Sequence, residues 1–256
     1  MAIIGFGDEI IITGIAKRLQ EKSNLPVVVF DRNGKIRDHA IWSRNNRITH
    51  VWDRVSPVHR IDNGPGMRGY IGAKTETRWT WKDYQCYPGE IFFYGTELHE
   101  VSHFPRDAVV IEPSLKDKAS PNKDWGRARW VELVRLLASR NIKCVQLGPA
   151  GTQRIEGAEL FITPTFRHAC AALAMSRAAV LPEGGLHHAA AAVGVRSVVI
   201  YGGFISPRQT GYDMHVNLFT GGEPCGFRIP CKHCAKAMSQ ITPAEVMWRL
   251  IEILDA

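Results

Sequence analysis

Short apolar runs alternate with amphipathic stretches along most of this chain. Ala2-Ile3-Ile4 predicts a first strand, ending in a Gly5-Phe6-Gly7-Asp8 loop. From Ile10 to Lys22, Ile11, Ile15, Ala16 and Leu19 recur at helical spacing opposite Lys17, Arg18, Gln20 and Glu21. Leu25 to Phe30 reads as a buried strand closed by Asp31-Arg32-Asn33-Gly34. Residues 45–70 are loop-like, with their strongest turn signal at Asp62-Asn63-Gly64-Pro65-Gly66, and Trp79 to Phe93 is rich in aromatics. The pattern resets near Asp107. Strands follow at Ala108–Ile111, Lys143–Leu147, Ala178–Leu181 and Ser197–Tyr201. Helices are predicted at Ala128–Ser139, Phe166–Ser176 and Leu186–Val193, and a last one runs to Leu254 behind a Thr242-Pro243-Ala244-Glu245 capping box.

Strand–helix alternation on both sides of residue 107 predicts an α/β chain of two doubly wound, Rossmann-like halves, 1–107 and 108–256, facing a cleft. Ligands of open parallel sheets sit beyond the carboxyl ends of the strands. The loops at Gly5–Glu9, Ser114–Trp125, Leu147–Gly151, Pro182–His188 and Gly202–Arg208 all fall at such ends.

Composition narrows the function classes. With 256 residues, 45% hydrophobic and 22% charged, the chain is no disordered, collagen-like or coiled-coil polypeptide. Lys and Arg exceed Asp and Glu by 32 − 25 = 7, a balance suited to phosphates, nucleotides, nucleic acid or lipid head groups. Six cysteines are too few for a disulfide scaffold. No basic segment precedes an apolar stretch at the start, and no apolar run approaches the ~18 residues of a membrane span. The expected setting is the cytoplasm, soluble or peripheral at the inner membrane face.

Four groups of residues carry candidate chemistry. Asp8, after two glycines and before a helix, either caps that helix or takes a proton from a hydroxyl in the cleft. In Pro182-Glu183-Gly184-Gly185-Leu186-His187-His188, glycines bare the amides at a helix start, which attracts phosphate. There Glu183 suits sugar hydroxyls and His188 a phosphate; the bland alternative is a turn with Glu183 as cap. Lys123, in the loop before Trp125, suits a diphosphate as a point charge, with Lys116 and Lys118 as competitors. Finally, Cys225, Cys231 and Cys234 form C-x5-C-x2-C, either free thiols or three ligands of a zinc or iron site completed by His215 or His233.

Taken in order, these segments resemble the heptosyltransferase-type glycosyltransferases of family 9, which have the GT-B architecture. Gly7-Asp8 followed by Thr13 is similar to the family's G-D-x3-T-P loop, with one extra residue and Gly14 in place of proline. Lys123-Asp124-Trp125 resembles K-x-W, and Arg129–Leu133 resembles the helix that follows it. Leu147-Gly148 resembles the strand end L-G-G, and Glu183–His188 resembles D-T/S-G-x-x-H. Ala190–Val195, Tyr201–Pro207 and the tail at Met238, Ile241, Pro243 and Val246 match later family segments. Glu183 stands for the usual Asp, and Gly184 for Thr or Ser.

The resemblance implies a shortened N-terminal domain and an inverting, metal-independent sugar transfer. The donor would be a nucleotide-diphosphate sugar, an ADP-sugar by preference. The acceptor would be a hydroxyl on a saccharide or lipid-linked saccharide, by default the lipopolysaccharide core. Asp8 would be the catalytic base. Lys123, Glu183, Gly184, Gly185, Leu186 and His188 would hold the donor, and no cofactor is required. Two other readings remain: a nucleic-acid-binding protein built on a zinc knuckle, and an inactive nucleotide-sugar receptor on the same fold.

Overall fold

The structure is a computed structural model that describes residues 5–64, 68–115 and 119–256. Its elements run α1 (Phe6–Gln20), β1 (Val27–Phe30), β2 (His59–Asp62), β3 (Ile71–Lys74), β4 (Trp79–Trp81), α2 (Gly95–Glu100) and β5 (Val109–Ile111). They continue with α3 (Arg127–Ala138), β6 (Cys144–Gly148), β7 (Glu159–Ile162), α4 (Phe166–Ala174), β8 (Ala178–Pro182) and α5 (Gly185–Val193). The last are β9 (Ser197–Gly202), α6 (Pro207–Thr210), β10 (Val216–Phe219), α7 (Lys232–Gln240) and α8 (Pro243–Leu254).

Six strands form one parallel sheet in the order β10-β9-β8-β5-β6-β7. Its central strands are apolar on both faces because helices cover both. In β5, Val109 and Ile111 point into a core with Trp125, Trp130 and Leu133, while Val110 points into the opposite one with Leu173 and Leu186. That alternation is the two-residue period of a strand sandwiched between helix layers. From β5 the chain winds outward through β6 to β7, then returns through α4 to place β8 on the other side of β5. The order reverses between β5 and β8, which opens a crevice at their carboxyl ends.

The N-terminal part is the shortened one. Its parallel sheet, among the described residues, is the β1–β2 pair, and β3–β4 is an antiparallel hairpin. One hydrophobic core continues across residue 107: Ile10, Val27, Val29 and Trp42 pack with Val145, Cys170, Leu173 and Leu186. The strand expected at Ala2–Ile4 and part of the expected turn at 62–66 lie outside the described residues. Gly5–Glu9, expected as a loop, is the first turn of α1. Apolar periodicity begins only at Ile10, but Asp8 at the third helical position bonds back to the Gly5 amide (3.2 Å), so the helix starts earlier. Strands β7 and β10, at the sheet's two edges, had no clear signature because each buries only one residue fully. Among the described residues no helix is long and apolar enough to cross a membrane.

Arg167 of α4 ties the two parts together. Its guanidinium grips Glu97 of α2 at 2.6 and 2.7 Å and donates to the carbonyls of Ala40 (2.9 Å) and Phe92 (2.7 Å). Replacing it strands a buried carboxylate and two carbonyls. Arg167→Met is expected to lower stability by about 3–5 kcal/mol, read as a lower urea midpoint at unchanged m-value.

Candidate functional site

The start of α1 is pressed against the start of α5. A Cβ on Gly7 would lie 2.5 Å from the His188 ring, and one on Gly185 would lie 3.8 Å from the Gly7 amide. Two helix N-termini therefore converge at the carboxyl end of β8, each with unpaired amides and a partial positive charge. Buried carboxylates answer that charge. Glu9, fully buried, takes both arms of Arg37 (2.7 and 3.3 Å). Burial pushes its carboxyl above the usual range, with Arg37 working against that rise.

Asp8 is likewise buried, and both its oxygens are engaged. The Tyr70 phenol donates to Oδ1 at 2.6 Å, while Arg68 Nε lies 2.7 Å from Oδ2. Oδ2 also accepts the Gly5 amide, so Asp8 caps α1. Burial, then the Asp8 charge, pushes the Tyr70 phenol well above its usual value, so it keeps its proton. Arg68 and Tyr70 escaped the sequence reading. They reach Asp8 from 60 or more residues away, on a segment without hydrophobic periodicity.

Across the crevice, Lys123 Nζ forms an ion pair with Glu183 Oε2. Lys123 follows a short turn in which Ser120 accepts the Asn122 amide at 3.3 Å, and its ammonium lies 5.2 Å from the Phe204 ring centre. Burial raises the Glu183 carboxyl, but Lys123 and His187 outweigh it and hold Glu183 below its usual range. Glu183 is thus charged at neutral pH. Expected as separate contacts to donor and sugar, these two residues meet each other instead.

His187 is spent on structure. One ring nitrogen donates to the Thr210 carbonyl (2.8 Å), which leaves Nδ1 to accept the Gly184 amide (3.0 Å). The Gly184 amide, expected to face phosphate, is therefore occupied; Gly185 and Leu186 open the helix in its place. His188 Nδ1 meets the Tyr212 phenol at 2.7 Å. Burial, reinforced by His187 and Lys123, holds His188 well below its usual value, so it is neutral. With Tyr212 donating to Nδ1, its proton sits on Nε2, the nitrogen turned toward Gly7. Ligand atoms of Glu183, His187 and His188 lie within 4.8 Å of one another.

The cysteines of C-x5-C-x2-C do converge. Sγ of Cys225 lies 3.1 Å from Cys234 and 3.7 Å from Cys231, with His233 Nδ1 3.8 Å from Cys234. His215 is elsewhere, donating to the His187 carbonyl at 3.2 Å. Lys116 and Lys118 lie outside the described residues. Beside Tyr70, a cleft of about 600 Å³ is lined by Trp79, Trp81, Lys82, Ser206, Arg208 and Phe219.

No family model matches the sequence, and no curated protein matches it. Solved structures do. A glycosyl transferase of family 9 from Veillonella parvula aligns over 98% of this chain and 95% of its own, with a TM-score of 0.67 and 14% identity. The chain has the GT-B-like fold of that family 9 protein. An iron-containing dodecameric glycosyltransferase, TibC, from enterotoxigenic E. coli aligns over 66% of this chain and 49% of its own (TM-score 0.51, 17% identity). E. coli ADP-heptose heptosyltransferase II aligns over 65% of this chain with a TM-score of 0.48 and 20% identity. The aligned part is about half of that enzyme, 53% of its length.

Glu112, just past β5, is a further residue that the sequence reading missed. It faces the same crevice end of the sheet as Glu183, one strand away. Burial pushes its carboxyl from 4.5 to about 8. The folded value lies above the unfolded one, so its contribution is full below about pH 4.5 and is lost as pH rises toward 8. The urea midpoint is expected to fall between pH 5 and 8, and this part of the fall to vanish in Glu112→Gln.

Proposed function

We propose that this protein is an inverting glycosyltransferase that moves a sugar from a nucleotide-diphosphate donor, an ADP-sugar by preference, to a hydroxyl acceptor. The observation that carries the reading is the meeting of two helix N-termini beside the Lys123–Glu183 pair, with the Asp8 carboxylate on the facing element. Amides and fixed cations at one point suit a diphosphate, and a carboxylate opposite suits an attacking hydroxyl. The chain spans about half of the heptosyltransferase it aligns with, so the whole reaction is assigned here on this geometry.

In this reading the diphosphate lies over the amides of Gly185 and Leu186, with Lys123 and His188 Nε2–H donating to its oxygens. Glu183 turns from Lys123 toward the sugar hydroxyls. The acceptor hydroxyl enters from the Trp79–Trp81 cleft, whose indoles suit a sugar face, and replaces the Tyr70 phenol at Asp8 Oδ1. Its oxygen attacks the anomeric carbon from the face opposite the diphosphate. Asp8 takes the proton as the bond to the leaving phosphate breaks. The negative charge that grows on the nucleoside diphosphate is met by Lys123 and the helix amides, with no metal at the reacting atoms. A saccharide or lipid-linked saccharide, such as lipopolysaccharide core, fits this acceptor side, and the setting is cytoplasmic or peripheral to the inner membrane.

The engagement of both Asp8 oxygens favours a second reading, a nucleotide-sugar receptor that binds without turnover. Asp8→Asn separates the two, because it keeps the shape while removing the base. On the enzyme reading it lowers kcat by about 10²–10⁴-fold and leaves donor affinity near wild type in calorimetry. Lys123→Met is expected to weaken nucleoside diphosphate binding by about 10–100-fold. A wild-type chain that binds nucleotide sugars but releases no nucleoside diphosphate with any saccharide acceptor would leave the receptor reading standing.

A further inference from the structure

Three sulfurs and one imidazole nitrogen crowd together at the start of α7, a cluster that the proposed sugar transfer does not use. Ligand atoms of Cys225, Cys231, His233 and Cys234 all lie within 4.8 Å of one another, and all three cysteines are free thiols. A tetrahedral ion with bonds of about 2.3 Å to sulfur separates its sulfurs by roughly 3.8 Å. The observed 3.7 Å between sulfurs and 3.8 Å from sulfur to the imidazole are close to that edge, and the 3.1 Å pair is shorter than it.

The surroundings are arranged for ligation. The Phe227 amide donates to Cys225 Sγ and the Cys234 amide to Cys231 Sγ, both at 3.4 Å, contacts that favour thiolates. Cys231 caps α7, so its sulfur and that of Cys234 face one point from the helix start. His233 donates Nε2–H to the Gly221 carbonyl at 2.7 Å, which leaves Nδ1 facing the sulfurs. A metal-bound histidine is held by this kind of outer hydrogen bond. The loop is also firmly placed. Cys225 and Gly226 amides bond to the Gly203 and Phe204 carbonyls (3.0 Å each), and Asn122 Oδ1 accepts the Cys231 amide at 3.1 Å.

We propose that Cys225, Cys231, His233 and Cys234 form a structural site for one divalent transition-metal ion, zinc or ferrous iron, in a closed three-sulfur, one-nitrogen tetrahedron. Soft thiolates with one imidazole select these ions over magnesium or calcium. Four protein ligands leave no open position, so the ion braces the loop and does not take substrate. The neighbouring turn, Ser120–Lys123, hangs on that loop: Ser120 and Asn122 both donate to the Phe227 carbonyl (2.8 and 2.7 Å), and Asn122 donates also to Ile229.

The test is elemental analysis of the full chain, purified under reducing conditions without an immobilised-metal column. About one zinc or iron per chain is expected, with the ion's identity read directly. Cobalt(II) added to the stripped protein is expected to give the intense sulfur-to-cobalt charge-transfer and tetrahedral ligand-field bands. Cys225→Ser and Cys231→Ser are expected to lose both signals, whereas Cys144→Ser, in the sheet core, keeps them. Wild-type protein with under about a tenth of an equivalent and no cobalt bands would overturn the proposal. So would retention of full metal by both serine variants. If those variants do not fold, the wild-type cobalt spectrum decides alone.

Discussion

The approach of α1 to α5 at Gly7 and Gly185 is the constraint on which the rest depends. A Cβ at position 7 would strike the His188 ring, so the two helix starts meet only because glycine stands there. Once they meet, partial positive charge gathers in a place with little water. Asp8, Glu9 and Glu183 are buried around it, and each is matched by a cation: Arg68, Arg37 and Lys123. A buried carboxylate without a partner would be expensive, so the three pairs are a condition of the packing as much as a feature of the site. The same arrangement that lets the helices touch therefore leaves a compact array of fixed charges at the mouth of the sheet.

The central sheet was legible because its strands are buried on both faces. Ala178–Pro182 and Ser197–Gly202 read as continuous apolar runs, and the first is followed by a turn and the apolar helix α5. The edge strands were not legible, since Glu159–Ile162 and Val216–Phe219 face solvent on one side and mix polar with apolar residues. The start of α1 was misplaced for a related reason. A helix end is set by hydrogen bonds at its first turn, and Asp8 makes one that hydrophobic spacing does not register.

The site was half visible. Asp8, Lys123, Glu183 and His188 lie where local turns put them, and glycines mark the turns beside Asp8 and Glu183. What surrounds them comes from afar. Tyr70 and Arg68 meet Asp8 through a hairpin whose residues carry no pattern, and Tyr212 meets His188 from beyond β9. The pairing of Lys123 with Glu183 was equally hidden: each was read against an absent anion or sugar, whereas a buried charge turns first to the nearest opposite charge. His187 shows the converse, for a histidine at a candidate site became the cap that fixes Gly184 and the Thr210 turn.

The hairpin's attachment has a consequence for how the chain is assembled. Trp79 and Thr77 bond to the backbone of Gly226 and Arg228, and Arg78 reaches the Cys225 carbonyl, so an early segment is stitched to one almost 150 residues later. Closing so wide a loop is slow relative to local helix formation. During synthesis the hairpin, and with it the segment that delivers Arg68 and Tyr70, has no place to dock until the last quarter of the chain has left the ribosome. Completion of the Asp8 side of the crevice is therefore a late event, coupled to the arrival of the cysteine loop.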